Sequence, residues 1–259
     1  MIVTKLRSAA ICGIAVMAKA SRAGRTKTRL VPPLSYEEAA DLNTAFLRDA
    51  FANIAEAARQ APIRAFAAYG PIGEESFFDS MGPVRPGLIP AVNANFGDCL
   101  LAGIEGVLAA GCVSACVLNA DTPDLPTDYL LRAARELQGG RDRMVIGPAD
   151  DGGYYILGVS QSHAYLFERI DWSTERVYGQ TVARAIVLGL DIVTLPNWRD
   201  IDDAGSLRRF ALTLDEPDAA GEAKPFAASN TRAQLRRSLK ESDLAARLGL
   251  TPPTRVAAE

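Results

Sequence analysis

The sequence predicts an α/β fold, a mostly parallel sheet with helices packed on both faces. Apolar strand-like runs alternate with helix-periodic segments over most of the chain, the order that builds parallel sheets through helical crossovers. The apolar runs are near-continuous rather than alternating, as in strands covered on both faces. The 259 residues, 48% hydrophobic and 23% charged, suffice for one large domain of this kind.

Each element follows in order. Ile11–Ala18 is the first strand. Lys5 and Arg7 ahead of this apolar stretch loosely imitate a secretory leader, but five cations directly after it are atypical of a cleavage region, and a buried strand accounts for the run. Ser35 opens a helix, with Glu38 completing a capping box, and the helix runs to about Gln60. Ile63–Tyr69 is a strand, Phe96–Ala110 a helix closed by Gly111, and Val113–Asn119 a strand. Asp128–Gln138 is helical behind Pro126. Arg143–Gly147 and Tyr154–Val159 are strands separated by Asp-Asp-Gly-Gly. Ser173 or Thr174 caps a helix that reaches Leu188. Ile192–Leu195 is the last strand, and a short helix starts at Gly205. Residues 215–230 are rich in Asp, Glu, Ala, Gly and Pro without periodicity, and 231–248 read as a charged amphipathic helix. The expected organisation is one domain over 8–214, then a linker and helical C-terminal appendage over 215–259.

Charge is distributed unevenly. Net charge is −3, yet no Asp or Glu precedes Glu37, and the first 36 residues carry seven cations. Five of them, Lys19, Arg22, Arg25, Lys27 and Arg29, fall within eleven residues directly after the first strand. A glycine-bearing basic loop in that position is a candidate phosphate clamp, with backbone N–H groups and cationic side chains converging on oxygens. A solvated positive face is the simpler alternative. The pI near 5.4 argues against general nucleic-acid binding, and no apolar run is long enough to span a membrane. Cys12, Cys99, Cys112 and Cys116 form no Cys-x-x-Cys pair, so a structural zinc site is not expected. Reduced, mostly buried thiols fit a cytoplasmic protein. Nothing in the composition excludes a homo-oligomer.

Three polar motifs follow three strands, where parallel sheets place their ligands. They are the basic loop, Asn119–Asp124 and Asp150–Gly153. Asp121, just past a buried strand, can hold Mg²⁺ or Mn²⁺, hard cations often shared between one or two carboxylates and substrate phosphates. Asp124 lies three residues on and can instead cap the next helix. In Asp200-Ile-Asp-Asp203, strand alternation puts Asp202 opposite Ile201, where it can share a metal with Asp121; Asp203 suits helix capping. Asp151 in the glycine-bearing turn can accept hydrogen bonds from ligand hydroxyls, with Gly152 and Gly153 allowing close backbone approach; a plain hairpin turn explains the same residues. Trp172, before a helix N-terminus, can stack on an acceptor while Ser173 and Thr174 bind its phosphate, or it can serve as a hydrophobic staple.

In order, Lys27-Thr-Arg-Leu30, Phe46-Leu-Arg-Asp49, Asp121-Thr-Pro-Asp-Leu-Pro126, Gly147–Tyr155, Trp172-Ser-Thr-Glu-Arg-Val177 and Asp200-Ile-Asp-Asp203 resemble the bacterial nucleotide-diphospho-sugar-transferase-like proteins labelled selenodomain-associated or arsenosugar-biosynthesis glycosyltransferases. The resemblance covers roughly residues 10–212. It implies a GT-A fold, a Rossmann-type α/β/α sandwich binding a nucleotide at the carboxyl edge of its sheet, with a metal at Asp121. More distantly, the basic loop is similar to that of phospholactate guanylyltransferases. The chain departs from the pattern in Phe96-Gly-Asp-Cys-Leu-Leu101, which lacks a Glu-Arg, in Asn119-Ala-Asp121, and in Asp203-Ala-Gly-Ser-Leu207.

These features predict a metal-dependent transferase using an activated nucleotide, Lys27, Asp121 and Asp151 being the catalytic candidates. The first reading is nucleotidyl transfer from an NTP to a small phosphorylated acceptor. Glycosyl transfer from an NDP-sugar and a non-catalytic nucleotide-binding module are the alternatives.

Overall fold

The computed structural model describes residues 10–139, 141–215 and 223–250. Its centre is a seven-stranded sheet of order β3-β2-β1-β4-β6-β5-β7. The strands are β1 (Cys12–Lys19), β2 (Ile63–Gly70), β3 (Gly87–Pro90), β4 (Ser114–Asn119), β5 (Arg143–Pro148), β6 (Tyr154–Val159) and β7 (Asp191–Thr194). Pairing is parallel except on both sides of β6. The exception has a simple cause. The few residues between Pro148 and Tyr154 can close a hairpin but cannot carry a parallel crossover. Strand β3 was not expected from sequence. It is four residues long, bounded by Gly87 and Pro90, and lies at the sheet edge, where Pro is tolerated.

Helices α1 (Tyr36–Ala58) and α3 (Thr127–Leu137) cover one face, α2 (Phe96–Ala109) and α4 (Val177–Val187) the other. Strand β1 shows why its run is continuously apolar. Cys12, Ile14 and Val16 enter the core with α1 and α3, while Ala15 enters the core with α2 and Met17 packs against it. Ser35 and Glu38 form the expected capping box on α1. Helix α4 starts later than expected. Ser173 takes a left-handed φ of 64°, Thr174 Oγ1 donates to Asp171 O at 2.7 Å, and Arg176 is the N-cap. Neither Ser173 nor Thr174 caps the helix, because this turn precedes it.

Helices α5 (Ala204–Leu212), α6 (Ser229–Glu241) and α7 (Leu244–Arg247) follow β7 among the described residues. Leu235, Leu244 and Leu248 share a cluster with Leu30, Leu42, Phe46, Leu207 and Phe210. Buried Asp49 on α1 accepts Asn230 N at 3.0 Å, Asn230 Nδ2 at 2.8 Å and Thr231 N at 2.7 Å, serving the N-terminus of α6. The helical segment expected after the composition break thus lies against α1 and backs the basic loop through Leu30.

Candidate active site

The carboxyl ends of β1, β2 and β4 open into one cleft of about 980 Å³. All five cations of the basic loop line it, together with Asp121 and Asp202. The loop is held from two sides. Asn43 on α1 donates to Lys19 O at 3.1 Å and Ser21 Oγ at 2.8 Å. Beyond, Thr26 N bonds Arg22 O at 3.2 Å, and Leu30 is fully buried. Between these anchors Lys27 takes a left-handed φ of 51°, uncommon for a non-glycine residue.

Two ion pairs join the loop to the carboxylates. Lys27 Nζ pairs with Asp121 Oδ1, and also lies 5.1 Å from the centroid of the Phe46 ring. Arg29 Nη1 pairs with Asp202 Oδ2 at 2.6 Å. Arg22 pairs with Glu74 across the cleft mouth. The carboxylates interact among themselves too. Burial, then the charges of Asp151 and Asp121, push Asp200 up to about 6; Asp202 contributes less. Burial, then Asp121, raises Asp202 as well, opposed by Lys27 and Arg29. Asp121, Asp151, Asp200 and Asp202 therefore form one electrostatic group.

Sequence alone does not single out Asp200, which joins this group through burial and neighbouring charges. Its one sequence signal is that residues 200 and 202 flank Ile201, which the structure buries. Asp203 caps α5, accepting Ser206 N at 2.6 Å in a capping box. Asp124 does not cap α3, whose N-cap is Pro126.

The acceptor candidates lie outside the cleft lining. Asp151 Oδ1 accepts Gly153 N at 2.8 Å in the hairpin turn. Gly152 has φ +85°, its oxygen accepts Tyr178 N at 2.9 Å, and a Cβ there would lie 2.5 Å from Glu175 Cα. This packs the turn against the segment following Trp172, Ser173 and Thr174. Trp172 meets Phe96 edge-on, with centroids 5.3 Å apart, and packs against the core on the α2 face. It thus packs behind Phe96, which lines the cleft.

Among the described residues, no three His, Cys, Asp or Glu side chains converge as a metal-binding group. Asp121 and Asp202 nevertheless fit a hard divalent cation in their chemistry. Both supply hard carboxylate oxygens to one cleft, where each is paired with a cation of the basic loop. Ligand oxygens would have to complete such a site.

The architecture is the α/β fold of nucleotide-diphospho-sugar transferases and nucleotidyltransferases. Residues 53–174 match the profile of a family described as uncharacterized protein conserved in bacteria (DUF2064). Over whole chains, a protein from Desulfovibrio desulfuricans G20 assigned as a nucleotide-diphospho-sugar transferase superposes with TM-score 0.75 at 24% identity, covering 94% of this chain and 98% of that one. CMP:2-keto-3-deoxy-manno-octonic acid synthetase, solved with CTP, superposes with TM-score 0.50 at 10% identity, over 79% and 99% of the two chains. A weaker likeness, TM-score 0.41 at 15% identity over 77% and 96%, is to Rv0371c of Mycobacterium tuberculosis H37Rv, solved with manganese. No curated protein matches the chain in sequence. No helix among the described residues is long and apolar enough to cross a membrane.

Proposed function

We propose that this protein is a metal-dependent transferase drawing on an activated nucleotide, and that its first reaction is nucleotidyl transfer to a small phosphorylated acceptor. The observation that carries this reading is the pairing of basic loop and carboxylates across one cleft, Lys27 with Asp121 and Arg29 with Asp202. Lys19, Arg22, Arg25, Lys27 and Arg29 bind the phosphates of the nucleotide. Five cations suit a triphosphate, and each charge-assisted contact contributes about 1.5–3 kcal/mol.

In the transfer, an acceptor phosphate oxygen forms a bond to the α-phosphorus as the bond to pyrophosphate breaks. Lys27 and Arg29 exchange their carboxylate partners for phosphate oxygens and hold the negative charge of the departing pyrophosphate. Asp121 and Asp202 would hold Mg²⁺ or Mn²⁺, which supplies charge neutralisation at the reacting oxygens when bound. Asp151, in the turn beside them, orients acceptor hydroxyls, with Gly152 keeping that turn close to Glu175.

Glycosyl transfer from an NDP-sugar is the second reading, favoured by the likeness to the Desulfovibrio protein. Thermal-shift and calorimetric titration with NTPs and NDP-sugars, each with and without Mn²⁺, separates the two. Preference for a triphosphate supports the first, preference for an NDP-sugar the second. Absence of binding by either class would sink both.

A further inference from the structure

We infer that Asp124 is a positioning residue, whose buried carboxylate sets the segment bearing Asp200 and Asp202 against Asp121. The inference rests on the reading of Asp121 and Asp202 as the metal-binding pair. Asp124 is 1% exposed. A carboxylate so buried is strongly unfavourable unless its oxygens are engaged, and both are. Oδ1 accepts Trp198 Nε1 at 3.1 Å, and Oδ2 accepts Arg199 Nη2 at 2.8 Å. The Arg199 guanidinium lies 5.2 Å from the centroid of the Trp198 ring, which meets Tyr129 edge-on at 5.7 Å.

Trp198 and Arg199 immediately precede Asp200. Beyond them, Ile201 N donates to Asp121 O at 2.9 Å, and the Ile201 side chain is 2% exposed. Trp198 N donates to Pro148 O at 3.1 Å, tying the same segment to the hairpin that carries Asp151. Residues 198–203 are therefore fixed at four points: the Asp124 carboxylate, the Pro148 backbone, the Asp121 backbone and the Asp203 cap. Asp124 and Asp121 leave the same strand three residues apart. One turn thus supplies a carboxylate to the cleft and, through Asp124, orients the segment that supplies the others.

The test compares the parent with Asp124→Asn and Trp198→Phe. Asn keeps shape and an acceptor oxygen but removes the charge facing Arg199. Phe keeps an aromatic ring but removes the indole donor. Calorimetry measures the affinity for inorganic tripolyphosphate with Mn²⁺ and without it. Loss of a group bonded directly to a metal ligand lowers metal affinity about ten- to hundredfold; Asp124 acts one step further out, through Trp198 and Arg199, so the lower end, about tenfold, is expected. Both variants should lose the Mn²⁺-dependent gain by about that factor, while metal-free affinity, which belongs to the basic loop, stays at the parent value. Retention of the full gain in a folded variant overturns the inference. A parallel fall of both affinities also overturns it, because that is general damage to the site. If Asp124→Asn fails to fold, Trp198→Phe decides the question. A parent that binds no tripolyphosphate overturns the nucleotide reading itself, whereas a parent with the gain and variants that keep it overturn only the role of Asp124.

Discussion

Lys27→Met tests the electrostatic logic of the cleft because it moves two affinities in opposite directions. The Lys27 side chain is 7% exposed and its partner Asp121 30%. Replacement by Met keeps an unbranched apolar side chain and removes the ammonium, together with its contact over the Phe46 ring. A lost charge-assisted contact to phosphate costs about 1.5–3 kcal/mol. At about 1.4 kcal/mol per decade, NTP affinity measured in EDTA should fall about ten- to hundredfold. In the nucleotide-free protein the same ammonium competes with any cation for Asp121. A partly exposed ion pair is worth about 1 kcal/mol, so its removal should raise Mn²⁺ affinity without nucleotide about fivefold. Isothermal calorimetry gives the first number and the spectrum of free Mn²⁺ by electron paramagnetic resonance the second. An unchanged NTP affinity, or a Mn²⁺ affinity that falls with it, would refute the reasoning, since either result means that Lys27 does not choose between Asp121 and phosphate.

Asp49→Ala should lower stability by about 3 kcal/mol, because it removes a helix cap and leaves the amides of buried Thr231 and neighbouring Asn230 without their acceptor; a urea-melt shift under 0.5 kcal/mol, roughly the scatter of ordinary surface substitutions, would contradict this. Ending the chain at Leu214 uncovers Leu30, Leu42 and Phe46, which cluster with Leu235, Leu244 and Leu248; such a chain should bind a hydrophobic dye and lose cooperative melting, and a well-folded product would instead mark 215–259 as a separable appendage. Gly152→Ala should destabilise the hairpin, since it forces a side chain into a left-handed φ beside Glu175 Cα; a melting temperature equal to the parent's counts against that packing. Burial raises the Glu38 carboxyl, but Ser242, the Ser35 amide and Arg247 outweigh it and hold it below its ordinary 4.5. A depressed carboxyl contributes stability that is present above the unfolded value and is lost as pH falls through the folded one. The parent should therefore lose stability below pH 4.5 more steeply than Glu38→Gln; identical acid limbs in denaturant melts would contradict the assignment.

Local chemistry made much of this legible in the sequence. The capping box at Ser35 needs only residues three apart. Strand β1 announces itself because both of its faces are buried, and the cations from Lys19 to Arg29 stand out because no acid lies near them in sequence. The hairpin at Asp150–Gly153 was available as an alternative from its Asp-Gly dipeptide alone. What the sequence could not reveal were interactions with no sequence-local term. Strand β3 exists because Gly87–Pro90 finds an edge on β2. The role of Asp49 depends on a helix that begins 180 residues later. Asp124, readable as a cap or a ligand, was assigned by Trp198 and Arg199. The charge of Asp200 is governed by burial and by carboxylates from two other loops. Sequence by itself determined the elements and the supply of charges, because periodicity, capping and composition act over a few residues. Only the tertiary structure decided which charges face one another, because Coulomb energy and desolvation depend on distance and burial in space.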